Sequence, residues 1–539
     1  MRARVCALIG AAIIVASCGS PNVTPSASSS TTPTSTGSPG AVASPIPTVG
    51  ASTPLPTAGA PGATPRGTRM AALSGRWEPA GAMDIGRLAP RAVLLDDGGV
   101  MVVGHDEAYS SCVRADSVKS EFWTPGTGDW SAGPSLNKPR ADFVAVLVAG
   151  GSALVTGGVN AGTKTEFDQQ DDHQSYSSTY VFDPAHAGAG WTRMGLLGRA
   201  RTSPIAAPLP DGRVLVTGGY YLSGSESGSV SEIDLVVYRP DTFAATPSVP
   251  PLADIDPPAM VPTLATAELF DPAKGSWSAT GAMRYARVDA PAATLTDGRV
   301  LVVGSTPGGD MWNYTQPAVD GRAYRTAEIF DPGAGRWSLT GELPAIDWSP
   351  LAKFGPYPIS STEVTDPGSL VALADGGALL VGQATSWSIW PLEMDGTVIR
   401  TLRFDPATAN WAAVDVGMYW IGSDDNDNAV LTETIVDGHS RNGAVVAGLD
   451  DGHVLIAGGY EIVGGKSTSA VDLYDPAADR WSTLPAMPQP RADGTAVVID
   501  DGSVLVLGGA DPTVEPASFM GCGIGPTGLA SAVRFIPEP

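Results

Sequence analysis

Residues 277–304 read WSATGAMRYARVDAPAATLTDGRVLVVG, and the fold prediction depends on the spacing within them. Arg287 follows Trp277 by ten residues, and the pair Asp297-Gly298 begins ten residues after Arg287. An Asp-Gly pair between two apolar runs favours a type I′ turn, because that turn needs positive φ at both central residues. The stretch therefore predicts a β-hairpin whose second strand is the apolar run ending at Gly304.

The same spacing recurs along the chain from Trp77 onward. Arginine follows tryptophan by ten residues at Trp77 and Arg87, Trp130 and Arg140, Trp191 and Arg201, and Trp481 and Arg491. A later strand in each repeat ends in an aromatic-Asp-Pro turn, as at Phe270-Asp271-Pro272, and the next tryptophan begins a fourth strand. Repeats of roughly 40 to 50 residues or more are typical of propellers and solenoids.

These motifs resemble the Kelch repeat, in which a double glycine, an aromatic-Asp-Pro turn and a tryptophan occur in this order. The resemblance covers nearly all of the chain after residue 75. It implies an all-β fold, a seven-bladed β-propeller of four-stranded antiparallel blades. The last apolar strand, 532–537, lacks its own tryptophan, and Trp77 begins a strand with no predecessor. We therefore expect the N- and C-terminal strands to pair in one blade and close the ring.

The N-terminus has the composition of an export signal. Arg2 and Arg4 precede an apolar stretch that ends in small residues and Cys18. This resembles a bacterial lipoprotein signal over residues 1–18, which implies acylation of Cys18; an ordinary signal peptide with an incidental cysteine is the alternative. Residues 19–69 are rich in Ser, Thr and Pro, and they predict a disordered tether before a propeller at 70–539. We expect an exported protein, lipid-anchored at the cell envelope surface.

Two cysteines, Cys112 and Cys522, remain in the exported part of the chain. They fall between the second and third strands of blades that become neighbours when the ring closes. An oxidising compartment favours a disulfide between them. Two free thiols are the alternative, because the sequence does not show the distance between the two Cα atoms.

The formal net charge of −24 bears on the choice of partner. A strongly acidic protein is repelled by nucleic acid and by anionic membrane surfaces. We therefore expect membrane contact only through the N-terminal lipid, a monomer, and no cofactor. The remaining partner classes are an extracellular glycan or a protein.

Loop length distinguishes the two ends of the predicted blades. Turns from strand one to two and from strand three to four are short, and the long connections share the other end, here called the long-loop end. Variable loops on a rigid scaffold are where binding usually occurs. The long connections are 220–265, 305–325, 345–367 and 417–440. Aromatic residues outside the repeat lie in or near them: Trp312, Tyr314, Trp348, Tyr357, Trp387, Trp390, Tyr419 and Trp420. These rings either contact a ligand or form the cores of their own loops.

The repeated arginines have two interpretations. They lie near the predicted axis at the long-loop end, where a ring of them would attract an anion. Alternatively they are buried and bridge adjacent blades, with Asp142, Asp289 and Asp493 as partners two residues along the strand. The arginines are Arg87, Arg140, Arg201, Arg287, Arg441 and Arg491, and Thr365 stands at this place in the fifth blade.

Metal binding has little support in the sequence. Residues 424–428 alternate oxygen ligands at Asp424, Asn426 and Asn428, which makes a weak calcium candidate, but the glycine of the EF-hand loop is absent. Some Kelch propellers resemble copper-radical oxidases with two His, two Tyr and a Tyr–Cys crosslink. Here only His105 and His439 are expected near the axis, so we predict no copper site.

The function predicted from the sequence is binding of an extracellular glycan or protein at the long-loop end. The alternative is a carbohydrate-active enzyme, an oxidase, lyase, hydrolase or epimerase, at the same end. No catalytic pair is predicted, because no two carboxylates stand out by spacing.

Overall fold

The computed structural model describes residues 74–104, 118–160, 174–221, 263–305, 322–355, 359–389, 392, 394–423, 429–461, 466–510 and 528–538. All of them belong to one compact unit, Leu73–Pro539. The predictions for the signal peptide, Cys18 and the tether lie outside the described residues. Within the described part, no helix has the length and apolar character needed to cross a membrane.

The described strands form seven antiparallel sheets. The chain begins with β1 (Ser74–Arg87), which belongs to the last sheet. Sheet 1 contains β2 (Arg91–Leu94), β3 (Val100–Val103), β4 (Ser120–Trp123) and β5 (Trp130–Ala132). Sheet 2 contains β6 (Ala141–Val148), β7 (Ser152–Asn160), β9 (Thr179–Phe182) and β10 (Trp191–Arg193), with β8 (Gln174–Ser175) beside β7. Sheet 3 contains β11 (Ile205–Pro208), β12 (Val214–Thr217), β13 (Ala267–Asp271) and β14 (Ser276–Thr280).

The remaining sheets follow in chain order. Sheet 4 contains β15 (Ala292–Thr294), β16 (Val300–Val303), β17 (Ala327–Asp331) and β18 (Arg336–Leu339). Sheet 5 contains β19 (Ile359–Asp366), β20 (Ser369–Ala372), β21 (Ala378–Ile389), β22 (Met394–Asp405), β23 (Asn410–Ser423) and β24 (Ala429–Val436). Sheet 6 contains β25 (Val445–Gly448), β26 (Val454–Ala457), β27 (Val471–Asp475) and β28 (Arg480–Thr483). Sheet 7 contains β29 (Thr495–Val498), β30 (Val504–Leu507), β31 (Leu529–Glu538) and β1. Short 3-10 helices lie at Pro184–Ala189, Ala323–Arg325 and Ser349–Phe354.

The predicted hairpins are present, as sheet 4 illustrates. Leu295 donates its N–H to the Arg299 carbonyl at 2.7 Å, and Gly298 donates to the Leu295 carbonyl at 2.9 Å. Gly298 has a φ of +86° but Asp297 has no positive φ, so the expectation of a type I′ turn is wrong, although the hairpin is present. The strand after the turn, β16, is buried at all four residues. Such a strand needs apolar side chains on both faces, because neighbouring sheets cover both.

Apolar clusters join neighbouring sheets. Leu215 of sheet 3 packs in one cluster with Val300 and Phe330 of sheet 4. A comparable cluster joins Val102 of sheet 1 to Leu505 of sheet 7. Fully burying side chains of this kind stabilises the fold by about 1.5–3 kcal/mol each relative to exposure. The two clusters therefore place apolar core residues between neighbouring sheets.

The first and last strands lie in one sheet. β1 pairs antiparallel with β31, and Trp77 stands opposite Phe535 in the register. The first strands of neighbouring sheets also contact one another: β2 with β6, β6 with β11, β11 with β15, β15 with β20, β20 with β25, β25 with β29, and β29 with β2. The pairing of the two terminal strands agrees with the prediction from Trp77.

Sheet 5 departs from the predicted pattern. The connections expected as loops at 345–367 and 417–440 contain β19, the end of β23 and β24, together with the 3-10 helix Ser349–Phe354. β21, β22 and β23 extend past the double-glycine position and pair with one another there, while β19 and β24 add outer strands. The long-loop end of sheet 5 is therefore a sheet extension, because apolar side chains along these segments pack against each other.

Candidate functional site

Each repeated arginine binds with its side chain the sheet that follows it in the chain. Each guanidinium donates to the carbonyl of a glycine 17 residues later, at the end of the second strand. The pairs are Arg87 with Gly104, Arg140 with Gly157, Arg201 with Gly218, Arg287 with Gly304, Arg441 with Gly458, and Arg491 with Gly508. All of them except Arg441 are fully buried. The expectation of an exposed anion-binding ring is therefore wrong for these five side chains, and they act as internal clamps.

Third-strand carboxylates partner four of the arginines. In sheet 4, Glu328 Oε1 accepts from Arg287 Nη2 at 3.0 Å, and Glu328 Oε2 accepts from the Arg284 N–H at 2.6 Å. Burial lowers the pKa of Arg287, and Glu328 partly offsets that effect. The other pairs are Arg87 with Glu121, Arg201 with Glu268, and Arg441 with Asp472. The sequence analysis missed these acids, although each stands two residues before the aromatic of its third strand.

Asp289 and Asp493 are not the partners of Arg287 and Arg491, contrary to the prediction. They and Asp142 have positive φ values of 44°, 50° and 52°, and their backbones link neighbouring sheets. Asp289 donates its N–H to the Ser203 carbonyl, Ser203 to that of Asp142, and Ala89 to that of Asp493. The second residue after each arginine therefore contributes its backbone, because the left-handed conformation turns that backbone toward the next sheet.

The double glycines complete these joints. Gly459 donates its N–H to the Arg491 carbonyl of the following sheet at 2.9 Å, and Gly509 donates to that of Arg87. A Cβ added at Gly458 would lie 2.1 Å from the Arg491 carbonyl oxygen. Positive φ and close backbone approach both require glycine here. The side chain of each repeat arginine therefore binds the sheet that follows it in the chain, and in these pairs its carbonyl binds the preceding sheet.

Most of the aromatic candidates that the structure describes form a small core in sheet 5. Trp387 and Tyr419 are only 2% and 4% exposed. Half-buried Trp348 and Trp420 pack around Trp387, and Trp420 also meets Phe354 edge to face with ring centroids 5.6 Å apart. These contacts favour the packing interpretation over ligand stacking for Trp387 and Tyr419. Trp312, Tyr314, Tyr357 and Trp390 lie outside the described residues.

The opposite face of the sheet 5 extension is polar. Ser388 stands opposite Asp395, and Thr397 lies between Ser386 and Tyr419 in the register. Asp395 has no hydrogen-bond or ionic partner within the described ranges. Burial raises its pKa, and burial also raises the pKa of Tyr419. We call Ser386, Ser388, Asp395 and Thr397 the polar face; the nearly buried Tyr419 packs with Ala384 and Ile399 on the same side of the sheet.

His439 lies between the sheet 5 extension and sheet 6. Its backbone N–H donates to both carboxylate oxygens of Asp415, and its ring stacks on Trp481 with an interplanar angle of 7°. Nδ1 is 3.9 Å from an Asp472 oxygen, and 46% of the side chain is exposed. The adjacent Ser440 hydroxyl lies 2.7 Å from that of Thr401 on β22. An exposed imidazole is thus held in one orientation beside sheet 5.

Trp481 differs from the other repeat tryptophans. Trp337 donates its indole N–H to the Gly281 carbonyl of the preceding sheet at 2.8 Å, and Trp411 donates to the Thr340 hydroxyl. The Trp481 indole N–H is buried without an acceptor. The sequence carries no signal of this difference, because the tryptophan and its spacing to Arg491 match the repeat.

The remaining candidate residues lie outside the described residues or away from the long-loop end. Cys112, Cys522, Asp424, Asn426, Asn428 and His105 lie outside the described residues. His453 is nearly buried beside Asp451, and His186 is exposed beside Asp183, both away from the long-loop end. Among the residues with a described placement, no group of three His, Cys, Asp or Glu side chains is arranged to hold a metal ion.

Comparison with known proteins gives two short matches. No protein-family model matches the chain. An F-box/kelch-repeat protein of Arabidopsis thaliana is 45% identical over 42 residues, which is 8% of this chain and 11% of that protein. Alpha-scruin of Limulus polyphemus is 32% identical over 65 residues, which is 12% of this chain and 7% of that protein. The chain thus matches only about a tenth of either relative.

Solved structures give broader but looser similarity. A fungal alcohol oxidase of the AA5 family, in complex with copper, has a TM-score of 0.46 at 15% identity, covering 86% of this chain and 76% of that one. YjhT has a TM-score of 0.41 at 11% identity, covering 85% and 99%. At these scores neither protein's function transfers to this chain. The seven antiparallel sheets and the kelch-repeat match together support a kelch-type propeller.

Proposed function

We propose that this chain is a lipid-anchored extracellular binding propeller that engages a glycan or a protein at its long-loop end. The observation that carries the proposal is the sheet 5 extension, which has an apolar core on one face and the polar face on the other. A sheet extended beyond its blade presents these side chains on a rigid support. Rigid elements hold binding groups more precisely than loops do.

Closure of the seven sheets into one ring is part of the proposal. It is supported by the β1–β31 pairing, the contact between β2 and β29, and the cluster shared by sheets 7 and 1. A closed ring leaves no inner strand edge exposed. The proposed acylation at Cys18 and disulfide between Cys112 and Cys522 rest on the sequence alone.

The chemistry of the site favours a hydroxyl-rich ligand. The polar face carries hydroxyl groups and the carboxylate of Asp395, and the neutral His439 ring has one nitrogen that donates and one that accepts. Asp415 fixes the backbone at His439 and Asp472 lies beside its ring. Fixed polar groups lose little entropy when a ligand binds. The repeat arginines other than Arg441 are fully buried, so they are not accessible to an anionic sugar at the protein surface.

A glycan array probed with the exported full-length chain tests the proposal. We expect retention on a subset of glycans, and at least tenfold weaker retention for His439→Ala and for Asp395→Asn, because about 1.4 kcal/mol of lost binding energy is tenfold in affinity. His186→Ala is the matched control, since this exposed histidine lies at the opposite end. Unchanged retention in His439→Ala and Asp395→Asn would move the site elsewhere. A blank array would exclude the glycans printed and favour a protein ligand, and chemical conversion of the printed sugars would favour the enzyme alternative.

A further inference from the structure

Sheet 5 supplies its buried guanidinium from a different strand. Thr365 stands at the repeat's arginine position, and Arg400 on β22 lies four residues before the aromatic Phe404. In sheets 2, 3, 4 and 7 this third-strand position carries a hydroxyl that accepts from the repeat arginine, as Thr326 does for Arg287 and Ser178 for Arg140. In sheet 5 an arginine therefore stands where these four sheets have a hydroxyl.

Arg400 is buried without a carboxylate. The side chain is 6% exposed, Nη1 donates to the Pro344 carbonyl at 2.6 Å, and Nη2 donates to Gln383 Oε1 at 2.5 Å. No acidic side chain in the described ranges pairs with it. Burial lowers its pKa to about 10. A buried charge without an opposite charge costs several kcal/mol. A negative charge bound beside Arg400 would offset that cost.

Two donors at this place have no acceptor. Arg400 Nε and Gln383 Nε2 are both buried and unpaired. Because Gln383 Oε1 accepts from Arg400, its amide nitrogen is the free donor. The Nε–H and one Nη2 N–H of a guanidinium point to the same side, so both unpaired donors lie next to the Arg400–Gln383 hydrogen bond.

Gln383 distinguishes this place from the other arginine sites. An unpaired Nε also occurs at Arg201, which has Glu268 as its counter-charge. Arg491 lacks a carboxylate too, but its neighbours Ser531 and Gln489 hydrogen-bond to each other. Only at Arg400, among the described arginines, do a guanidinium without a carboxylate and a second buried unpaired donor coincide.

We propose that Arg400 and Gln383 hold a small monovalent inorganic anion of the chloride class inside sheet 5. One negative charge balances the guanidinium, and the ion accepts from Nε–H and from the Gln383 amide. Buried polar donors that would otherwise be unpaired gain most from such an acceptor. The ion supplies the negative charge that Glu328 supplies to Arg287 in sheet 4.

Thermal unfolding in sodium chloride and in sodium gluconate at equal ionic strength tests the proposal. A ligand that binds only the folded state raises its stability with the logarithm of concentration. For a domain of this size we expect the Tm to rise by about 1–2 °C per tenfold increase in chloride above the Kd. Gln383→Glu provides an internal carboxylate, so its Tm should be independent of chloride and at least equal to that of the wild type in chloride.

Gln489→Glu is the matched control, since it makes the same chemical change beside Arg491 and should keep the chloride dependence. An equal chloride response in the wild type and Gln383→Glu would show ordinary surface screening and overturn the proposal. Bromide-soaked crystals test it without any variant. An anomalous peak between Arg400 Nε and Gln383 Nε2 would support the site. A water molecule at that place, or no density there, would overturn the proposal.

Discussion

Sheets 4 and 5 are neighbours that share an apolar cluster including Leu301 and Leu380, yet they balance a buried arginine in different ways. In sheet 4, Arg287 meets Glu328. In sheet 5, Arg400 enters from the third strand and meets Gln383. Both sheets therefore bury a guanidinium, but the arginine stands before the first strand in sheet 4 and on β22 in sheet 5.

The difference between the two sheets also concerns their ends. Sheet 4 stops at Gly304, whereas β21, β22 and β23 of sheet 5 continue past the corresponding Gly382. In sheets 1, 3, 4 and 6 an arginine, a carboxylate and a glycine carbonyl meet at this end. Sheet 5 has Thr365 at the arginine position, and its extension carries the polar face.

The largest expected effect comes from the glycine joint between sheets 6 and 7, a kind of joint that sheet 5 also has at Gly382. Gly458→Ala places a Cβ 2.1 Å from the Arg491 carbonyl oxygen at a φ of +69°. We expect a loss above about 4 kcal/mol in the free energy of unfolding, or no folding at all. Gly128→Ala is the control, since its φ is +73° and no atom lies within 4 Å of the added Cβ. The Gly128→Ala variant should lose about 1–2 kcal/mol in the free energy of unfolding. Equal losses for the two variants in urea denaturation would contradict the close contact at Gly458.

Removing the carboxylate of sheet 4 should be the next largest effect. Glu328→Gln leaves Arg287 buried without a counter-charge, and we expect a loss of about 3–5 kcal/mol measured by denaturant unfolding. Glu433→Gln removes a carboxylate from an exposed pair with Lys353 and should cost about 0–1 kcal/mol. A small loss in Glu328→Gln would mean that sheet 4 does not need its carboxylate and resembles sheet 5.

The repeat tryptophans give a matched pair with a smaller difference. Trp337→Phe loses the hydrogen bond to the Gly281 carbonyl, whereas Trp481→Phe has none to lose. Both rings lie about equally close to a third-strand aromatic, at 5.1 Å from Phe330 and 5.0 Å from Tyr474. We expect Trp337→Phe to cost about 1 kcal/mol more than Trp481→Phe in thermal unfolding. The reverse order would indicate that the His439 stack stabilises sheet 6 more than the hydrogen bond stabilises sheet 4.

The smallest effect depends on pH. Burial raises the pKa of Asp366 in sheet 5, although the N–H groups of Gly368 and Gly443 donate to it. The charged carboxylate therefore lowers stability at neutral pH, and the penalty disappears as the pH falls below the ordinary value of 3.8. Asp366→Asn should raise the Tm by about 1 °C at pH 7 and leave it unchanged at pH 3.

Asp271 in sheet 3 should show the opposite sign. The hydrogen bond from Lys274 lowers the pKa of Asp271, so its contribution is present above pH 3.8 and is lost as the pH falls through the lowered pKa. Asp271→Asn should therefore lower the Tm slightly at pH 7 and have no effect at low pH. The same sign for both variants would contradict the assignment of burial as the dominant cause at Asp366.

The regular sheets could be predicted closely, and sheet 5 could not. The Asp297-Gly298 turn and the apolar strand after it are local signals, so the hairpin follows from neighbouring residues. The partner of Arg287 was missed because Glu328 is 41 residues away in sequence and reaches it only through strand pairing. For the same reason, the segments at 345–367 and 417–440 looked like loops, since their apolar contacts come from each other.

The sequence by itself determined the repeat, the strand order within the regular four-stranded sheets and the expectation that Trp77 joins the last strand. These depend on turn chemistry and apolar periodicity, which act over a few residues. Only the tertiary structure decided that the arginines are buried, that Trp387 and Tyr419 are core residues, and that Arg400 stands where a hydroxyl stands elsewhere. Burial and charge pairing arise between sheets, and a chain read in order does not show which side chains meet there.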